Sequence, residues 1–142
     1  MITTFRGEYS FLSNFTSFEK PMLYCGDLYT SNEHFYQAMK VADKDLRNSI
    51  RVHTAKGLKA YIRTLTIRED WDNIKLDVML YGLRYKFSEH NPNLKHKLIQ
   101  TGDQVIQEGN YWNDKFWGVC LKTGEGENHL GRLLMLVREE IK

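Results

Sequence analysis

Cysteine, proline and long apolar runs are all scarce in this sequence, and each scarcity removes a class of protein. The two cysteines, Cys25 and Cys120, have no metal-ligand spacing, so they read as reduced thiols rather than as a disulfide or zinc framework. Pro21 and Pro92 are the only prolines, and no repeat, low-complexity stretch or linker-like segment accompanies them, so residues 1–142 are expected to form one domain with none fused to it. The longest apolar run, Leu133 to Val137, is far below the roughly 18 residues a membrane span requires. No charged-then-apolar amino terminus resembles a signal peptide, and a cytoplasmic protein without a membrane partner is expected. Charge is nearly balanced, with 20 basic against 18 acidic side chains. A duplex-wrapping protein would show a basic stripe, whereas a pocket acting on one modified nucleotide needs only local charge. The five histidines, at positions 34, 53, 90, 96 and 129, show no zinc pairing, and neither a nucleophile elbow nor a Walker or dinucleotide glycine pattern occurs.

What is present is enough apolar sequence for a core, 42% hydrophobic in 142 residues, and an aromatic content of 13%. Trp71, Trp112 and Trp117 all stand near polar or glycine-rich sequence, so the aromatic excess serves either packing or a pocket. The opening third is strand-like. Ile2 to Phe5 and Met22 to Thr30 are rich in β-branched and aromatic residues, with Cys25-Gly26-Asp27 placed as a hairpin turn. Helical spacing follows: Phe35, Ala38, Met39 and Ala42 share one face of a helix starting near Ser31. Further helices are predicted after Thr54, over about Trp71–Phe87 with Trp71, Ile74, Val78, Tyr81 and Tyr85 in one row, from Asn91-Pro92 to Gly102, and after Asn128. Gln104–Glu108 and Phe116–Leu121 read as short strands. The fold class is therefore α+β, a mostly helical single domain with a small β-sheet or hairpins.

Three segments combine chemistry-bearing residues. Glu33, Gln37 and Lys40 recur at helical spacing, so one face presents a carboxylate, an amide and an amine, with His34 and Tyr36 nearby. The same residues admit a structural reading, since Thr30-Ser31-Asn32-Glu33 fits a capping box and Lys40 fits a solvated face. Leu12-Ser13-Asn14-Phe15 holds a polar pair between apolar residues: Asn14 either closes an Asx-turn or reads a base or ribose edge while Phe15 stacks. Between Glu108 and Cys120, Tyr111, Trp112, Phe116 and Trp117 surround Asn110, Asn113, Asp114 and Gly118. That mixture suits a pocket rim as well as a capped end of the core with Asp114 in a turn. Gly124, Gly126 and Asn128 precede the last helix, where backbone amides can approach a phosphate.

In order and spacing these segments resemble the NADAR family, also described as riboflavin-biosynthesis-intermediate N-glycosidase-like. The resemblance runs from Phe5 to Arg138. It rests on Leu12-Ser13-Asn14-Phe15, Ser31-Asn32-Glu33-His34 with Tyr36-Gln37-Ala38 and Lys40, Asp70-Trp71, Lys86-Phe87, Thr101-Gly102 and Glu108. Asp114 with Phe116-Trp117-Gly118, then Asn128, Leu130-Gly131, Leu134-Met135 and Arg138, complete it. The resemblance implies a metal-independent N-glycosidase, needing no cofactor, that cleaves the C–N bond between ribose and a base or amine. Its implied ligands are ADP-ribose or ribose phosphates. One such substrate is ADP-ribosylated guanine in DNA or RNA; others are phosphoribosylamino-pyrimidine intermediates of riboflavin synthesis, and a non-catalytic ADP-ribose-binding module is the alternative.

The chemistry fits those residues. Breaking an N-glycosidic bond builds positive charge on the ribose, which a carboxylate stabilises while a proton donor helps the amine leave. Glu33 and Asp114 are the expected carboxylates, with Glu108 third. Lys40, by its match to the lysine ending the first-helix motif, is the expected amine for a Schiff base with an opened ribose. Asn14, Phe15, His34, Gln37, Trp117, Gly118 and Asn128 are the expected substrate-binding residues, and Arg6, Lys56 or Arg132 could offer charge to a phosphate.

Overall fold

Cys25 and Gly26 both take positive φ, 49° and 86°, and this left-handed pair closes a two-residue hairpin turn whose twist suits the flanking strands. In the computed structural model, which describes residues 1–142, the hairpin joins β1 (Ser17–Tyr24) to β2 (Asp27–Ser31) with Tyr24 opposite Asp27. The register slips between Ser17 and Met22, where Pro21 contributes no ladder N–H. β2 runs directly into α1 (Asn32–Ala38), whose seven residues are all buried. α2 (Lys44–Arg51), α3 (Ala55–Ile62) and α4 (Trp71–Lys86) follow. A 3-10 helix spans Gly7–Leu12 near the start of the chain, and after α4 come α5 (Pro92–Gln100), β3 (Gly109–Asn110), β4 (Val119–Cys120) and α6 (His129–Ile141). The fold is α+β and mostly helical, with two separate two-stranded sheets.

The chain divides into two compact units, one made of Asn14–Tyr85 and the other of Met1–Ser13 with Lys86–Lys142. Within Asn14–Tyr85, Phe18, Met22, Tyr29, Phe35, Met39, Ile50, Leu58, Met79 and Leu83 are buried. Phe35 meets Tyr24, Tyr29 and Tyr81 at ring separations of 5.1, 5.5 and 5.6 Å. Within the other unit Ile2, Phe11, Leu12, Phe87, Leu98, Ile106, Leu134 and Val137 are buried. Arg138 ties its C-terminal helix to the end of α5, donating to Thr101 Oγ1 at 2.9 Å and to the Gln104 carbonyl at 2.8 Å.

Several expected elements differ. Ile2 to Phe5 is no strand; Ile2 alone bridges to Ile106. Of the two strands expected late in the chain, Gln104–Glu108 holds only the Ile106 bridge, with β3 just beyond it, and Phe116–Leu121 shrinks to Val119–Cys120; β3 and β4 pair in parallel, Gly109 with Val119 and Asn110 with Cys120. α2 lies in a segment with no anticipated helix, because its residues, Lys44 to Arg51, are mostly polar and only Ile50 is buried. On α4 the residues buried with Trp71 are Met79 and Leu83 rather than Tyr81, which is 52% exposed. Gly102, at φ 63°, ends α5 as expected.

Candidate active site

The Ser31 hydroxyl caps α1, accepting from the His34 backbone N–H at 3.2 Å. This places the cap one residue later than a capping box on Thr30 requires. Glu33 is thereby released from cap duty: its Oε2 instead accepts from Gln37 Nε2 at 2.6 Å, one turn along the helix. Both side chains are buried, and Gln37 Oε1 has no partner in the protein. The helix stops at Ala38, so Lys40 occupies the turn beyond it, its N–H bonded to the Gln37 carbonyl at 3.2 Å and its carbonyl accepting from Arg68 N–H at 2.9 Å. Lys40 is half-buried, and its ammonium faces the rings of Tyr36 and Trp71 at 5.3 and 5.9 Å from their centroids. Burial lowers its pKa from the ordinary value of 10.5; Glu33 opposes that shift and the charges of Lys59 and Lys75 add to it.

Asn14 is fastened to the same helix start. Its carbonyl accepts from Glu33 N–H at 2.9 Å, and its side-chain oxygen accepts from Asn32 Nδ2 at 3.0 Å. Phe15 is 40% exposed with the Lys59 ammonium 5.7 Å from its ring centroid. This unit therefore gathers Asn14, Phe15, Glu33, Gln37 and Lys40, and adds Asn32 and Lys59, to which no role was attached in the sequence. His34 has another task. A carbonyl can only accept, so Nε2–H donates to the His53 carbonyl at 2.8 Å and Nδ1 accepts from the Ser31 hydroxyl at 2.7 Å. With both ring nitrogens engaged, His34 braces the start of α1 against Ser31 and the His53 carbonyl.

In the unit formed by Met1–Ser13 and Lys86–Lys142, the loop around Asn110 is organised by polar side chains. Asn110, buried, donates to Glu108 Oε2 and to the Asp114 carbonyl, both at 2.9 Å, and accepts from Asp114 N–H at 3.0 Å. Asp114 Oδ1 accepts the N–H groups of Phe116 and Trp117 at 3.1 and 3.0 Å, an Asx-type turn. Gly118 leaves room for Glu108: a Cβ there would lie 1.8 Å from Glu108 Oε2. Asn128, at φ 55°, uses both ends of its amide internally, accepting from Glu108 N–H at 3.0 Å and donating to the Ile106 carbonyl at 2.9 Å. Asp114, expected as a catalytic carboxylate, and Gly118 and Asn128, expected as substrate-binding residues, thus also build this loop. Most of the backbone amides expected to approach a phosphate before α6 are bonded within the protein. The amides of Gly124, Glu127, Asn128, His129 and Leu130 all donate to carbonyls of the protein. Trp117 packs edge-on against Phe116 at 4.8 Å.

Lys86 is the unanticipated titratable group. It is fully buried, donates to the Ser13 carbonyl at 2.6 Å and lies 5.2 Å from the centroid of the Phe87 ring. Burial pushes its pKa down to about 7. No cluster of three or more His, Cys, Asp or Glu side chains has the arrangement of a metal site.

The family model described as NADAR domain matches residues 3–142. An N-glycosidase of Nostoc punctiforme is 36% identical over 90% of this chain and 85% of its own length. The N-glycosidase YbiA of Shigella flexneri is 33% identical over 94% of this chain and 82% of its own. A riboflavin biosynthesis protein of Vibrio vulnificus is 36% identical over 94% of this chain, which spans only 36% of that relative's length. The solved NMR structure of the Escherichia coli protein YbiA matches with a TM-score of 0.82 and 31% identity, covering 99% of this chain and 86% of that one.

Proposed function

The chain belongs to the NADAR domain family, and on that premise we propose that it is an N-glycosidase that opens the C–N bond between a ribose and its base or amine, with residues 1–142 acting as one catalytic domain. The observation that carries this reading is the arrangement around α1. A buried carboxylate, Glu33, is oriented by Gln37, and Lys40 stands half-buried against two rings with its pKa lowered. Binding alone has no use for an amine shifted toward its neutral, nucleophilic form. The names of the relatives, N-glycosidases from two bacteria, agree.

In the proposed sequence, Glu33 handles the proton that assists ribose ring opening, leaving an imine between C1′ and the base nitrogen. The neutral Lys40 amine adds to C1′, the base leaves as its amine with a proton returned to it, and a Lys40–C1′ Schiff base remains. Water hydrolyses that imine, releasing the sugar and restoring Lys40. Gln37 Oε1 is buried and without a partner in the protein, which supports giving it a hydrogen bond from the substrate. Asn14 and Phe15 serve recognition.

The substrate class proposed is ADP-ribosylated guanine, in DNA or RNA. A second reading, a phosphoribosylamino pyrimidine of riboflavin synthesis, is favoured by the riboflavin biosynthesis names of the Vibrio vulnificus and Zea mays relatives. The test is to incubate the protein with each substrate separately, follow base release by mass spectrometry, and add borohydride during turnover. Base release with a protein–ribose adduct that disappears in Lys40→Ala is expected. Turnover that survives Lys40→Ala with no adduct would remove the covalent mechanism, and ADP-ribose binding with release from neither substrate would leave a binding module.

A further inference from the structure

Asn32 is an expensive residue for its place. It is fully buried at the first position of α1, and its Oδ1 has no partner. A buried, unpaired polar atom costs stability that an apolar side chain would avoid. The fold also makes room for it. A Cβ on Gly82 of α4 would lie 1.7 Å from Asn32 Oδ1, so the helix lacks a side chain where this amide sits.

What Asn32 gains is a defined contact with Asn14. Its Nδ2 donates to Asn14 Oδ1 at 3.0 Å and lies 3.4 Å from Met79 Sδ; Asn14 Nδ2 lies 3.5 Å from the same sulfur. Turning both amides over would point Asn14 Oδ1 at the thioether, which offers no proton, so the sulfur and the two amides select one orientation. In that orientation Asn32 holds the Asn14 oxygen through one of its two lone pairs. One N–H of Asn14 Nδ2 faces Met79, and the second N–H is engaged by neither Asn32 nor Met79.

We propose that Asn32 is a positioning residue for substrate recognition: it fixes the orientation of the Asn14 amide, so that Asn14 presents the second N–H of its Nδ2 to the substrate as a hydrogen-bond donor. This rests on the reading of Asn14 as a substrate contact. The substrate atom opposite that N–H is then an acceptor, such as a carbonyl oxygen, ring nitrogen or phosphate oxygen.

Two measurements separate the parts of this proposal. In ligand-free protein, the Asn14 side-chain amide cross-peaks in a ¹⁵N correlation spectrum should shift in Asn32→Ala and, where that variant does not fold, in Gly82→Ala, whose methyl displaces the Asn32 amide. Unmoved cross-peaks in a folded variant would overturn the positioning role, whatever the substrate proves to be. With turnover, Asn14→Ala and Asn32→Ala should each raise KM by about tenfold, near 1.4 kcal/mol, with little change in kcat, and the double variant should be no worse than either single one. Additive losses would assign Asn32 a merely structural role. Asn14→Asp, which removes the donor, should raise KM at least as much as Asn14→Ala; wild-type KM there would refute the donor assignment. Wild-type KM in Asn14→Ala, with cross-peaks that do shift in Asn32→Ala, would instead sink the reading of Asn14 as a substrate contact.

Discussion

The amine role proposed for Lys40 depends on its neighbours. A rate that depends on a neutral amine rises with pH through the amine's pKa, so each influence on that pKa moves the acid side of the profile. Burial is the largest influence, and Glu33, Lys59 and Lys75 act through charge. Removing the Lys59 cation takes away a group that disfavours protonated Lys40. The acid limb of kcat/KM should accordingly move to higher pH in Lys59→Met, and an unchanged limb would show that Lys59 does not act on the reacting amine. Glu33→Gln keeps the shape of the side chain while removing its proton chemistry, and should lower kcat by about 10²–10⁴-fold in a steady-state assay. Helical spacing correctly put Glu33 and Gln37 one turn apart on a shared face, whereas Lys40, read onto the same face, lies in the turn beyond Ala38. What sequence could not tell was allegiance. His34 and Asn128 hold backbone groups that only the folded chain brings near, while Asp114 forms the local turn that the sequence already offered as one of its two readings.

Helices and turns were legible where apolar periodicity or punctuation was strong. The hairpin, α1 and α6 were found because their buried residues recur regularly or because glycine marks their ends, whereas α4 was placed on a row of which only Trp71 is buried. α2 escaped because an exposed helix with one buried side chain leaves no apolar stripe to read. β3 and β4 are too short for any alternation. Asn32 shows the same limit from the other side, since a buried asparagine at a helix start looks in sequence like an ordinary cap. Two substitutions test how the elements are held. Ser31→Ala removes the α1 cap and the partner of His34 Nδ1, and should cost about 1–2 kcal/mol by urea titration. Gly118→Ala forces a methyl into the Glu108 carboxylate and backbone carbonyl, so it should lower the melting temperature and disturb the Asn110 loop. A wild-type melting curve would mean that the loop yields easily.

Across the whole molecule, Lys86 makes stability depend on pH in an unusual direction. Unfolded, its amine titrates near the ordinary 10.5; folded, burial brings it to about 7. Between those values the unfolded chain binds more protons, so stability rises with pH through the window and this contribution is absent below it. The full difference corresponds to roughly 5 kcal/mol. Lys86→Met should flatten the difference in urea midpoint between the acid and alkaline ends of the window, and an identical pH dependence in the variant would exclude Lys86 as its source. The division of the chain carries a consequence for its synthesis. Asn14–Tyr85 is one unbroken stretch, whereas the other unit must recruit Met1–Ser13 across it, as when Ile2 donates to Val105 and accepts from Gln107, both at 2.8 Å. During synthesis every residue of Asn14–Tyr85 is available before Lys86–Lys142 is made, while Met1–Ser13 waits for partners still untranslated. A segment made before the central unit is secured only after it.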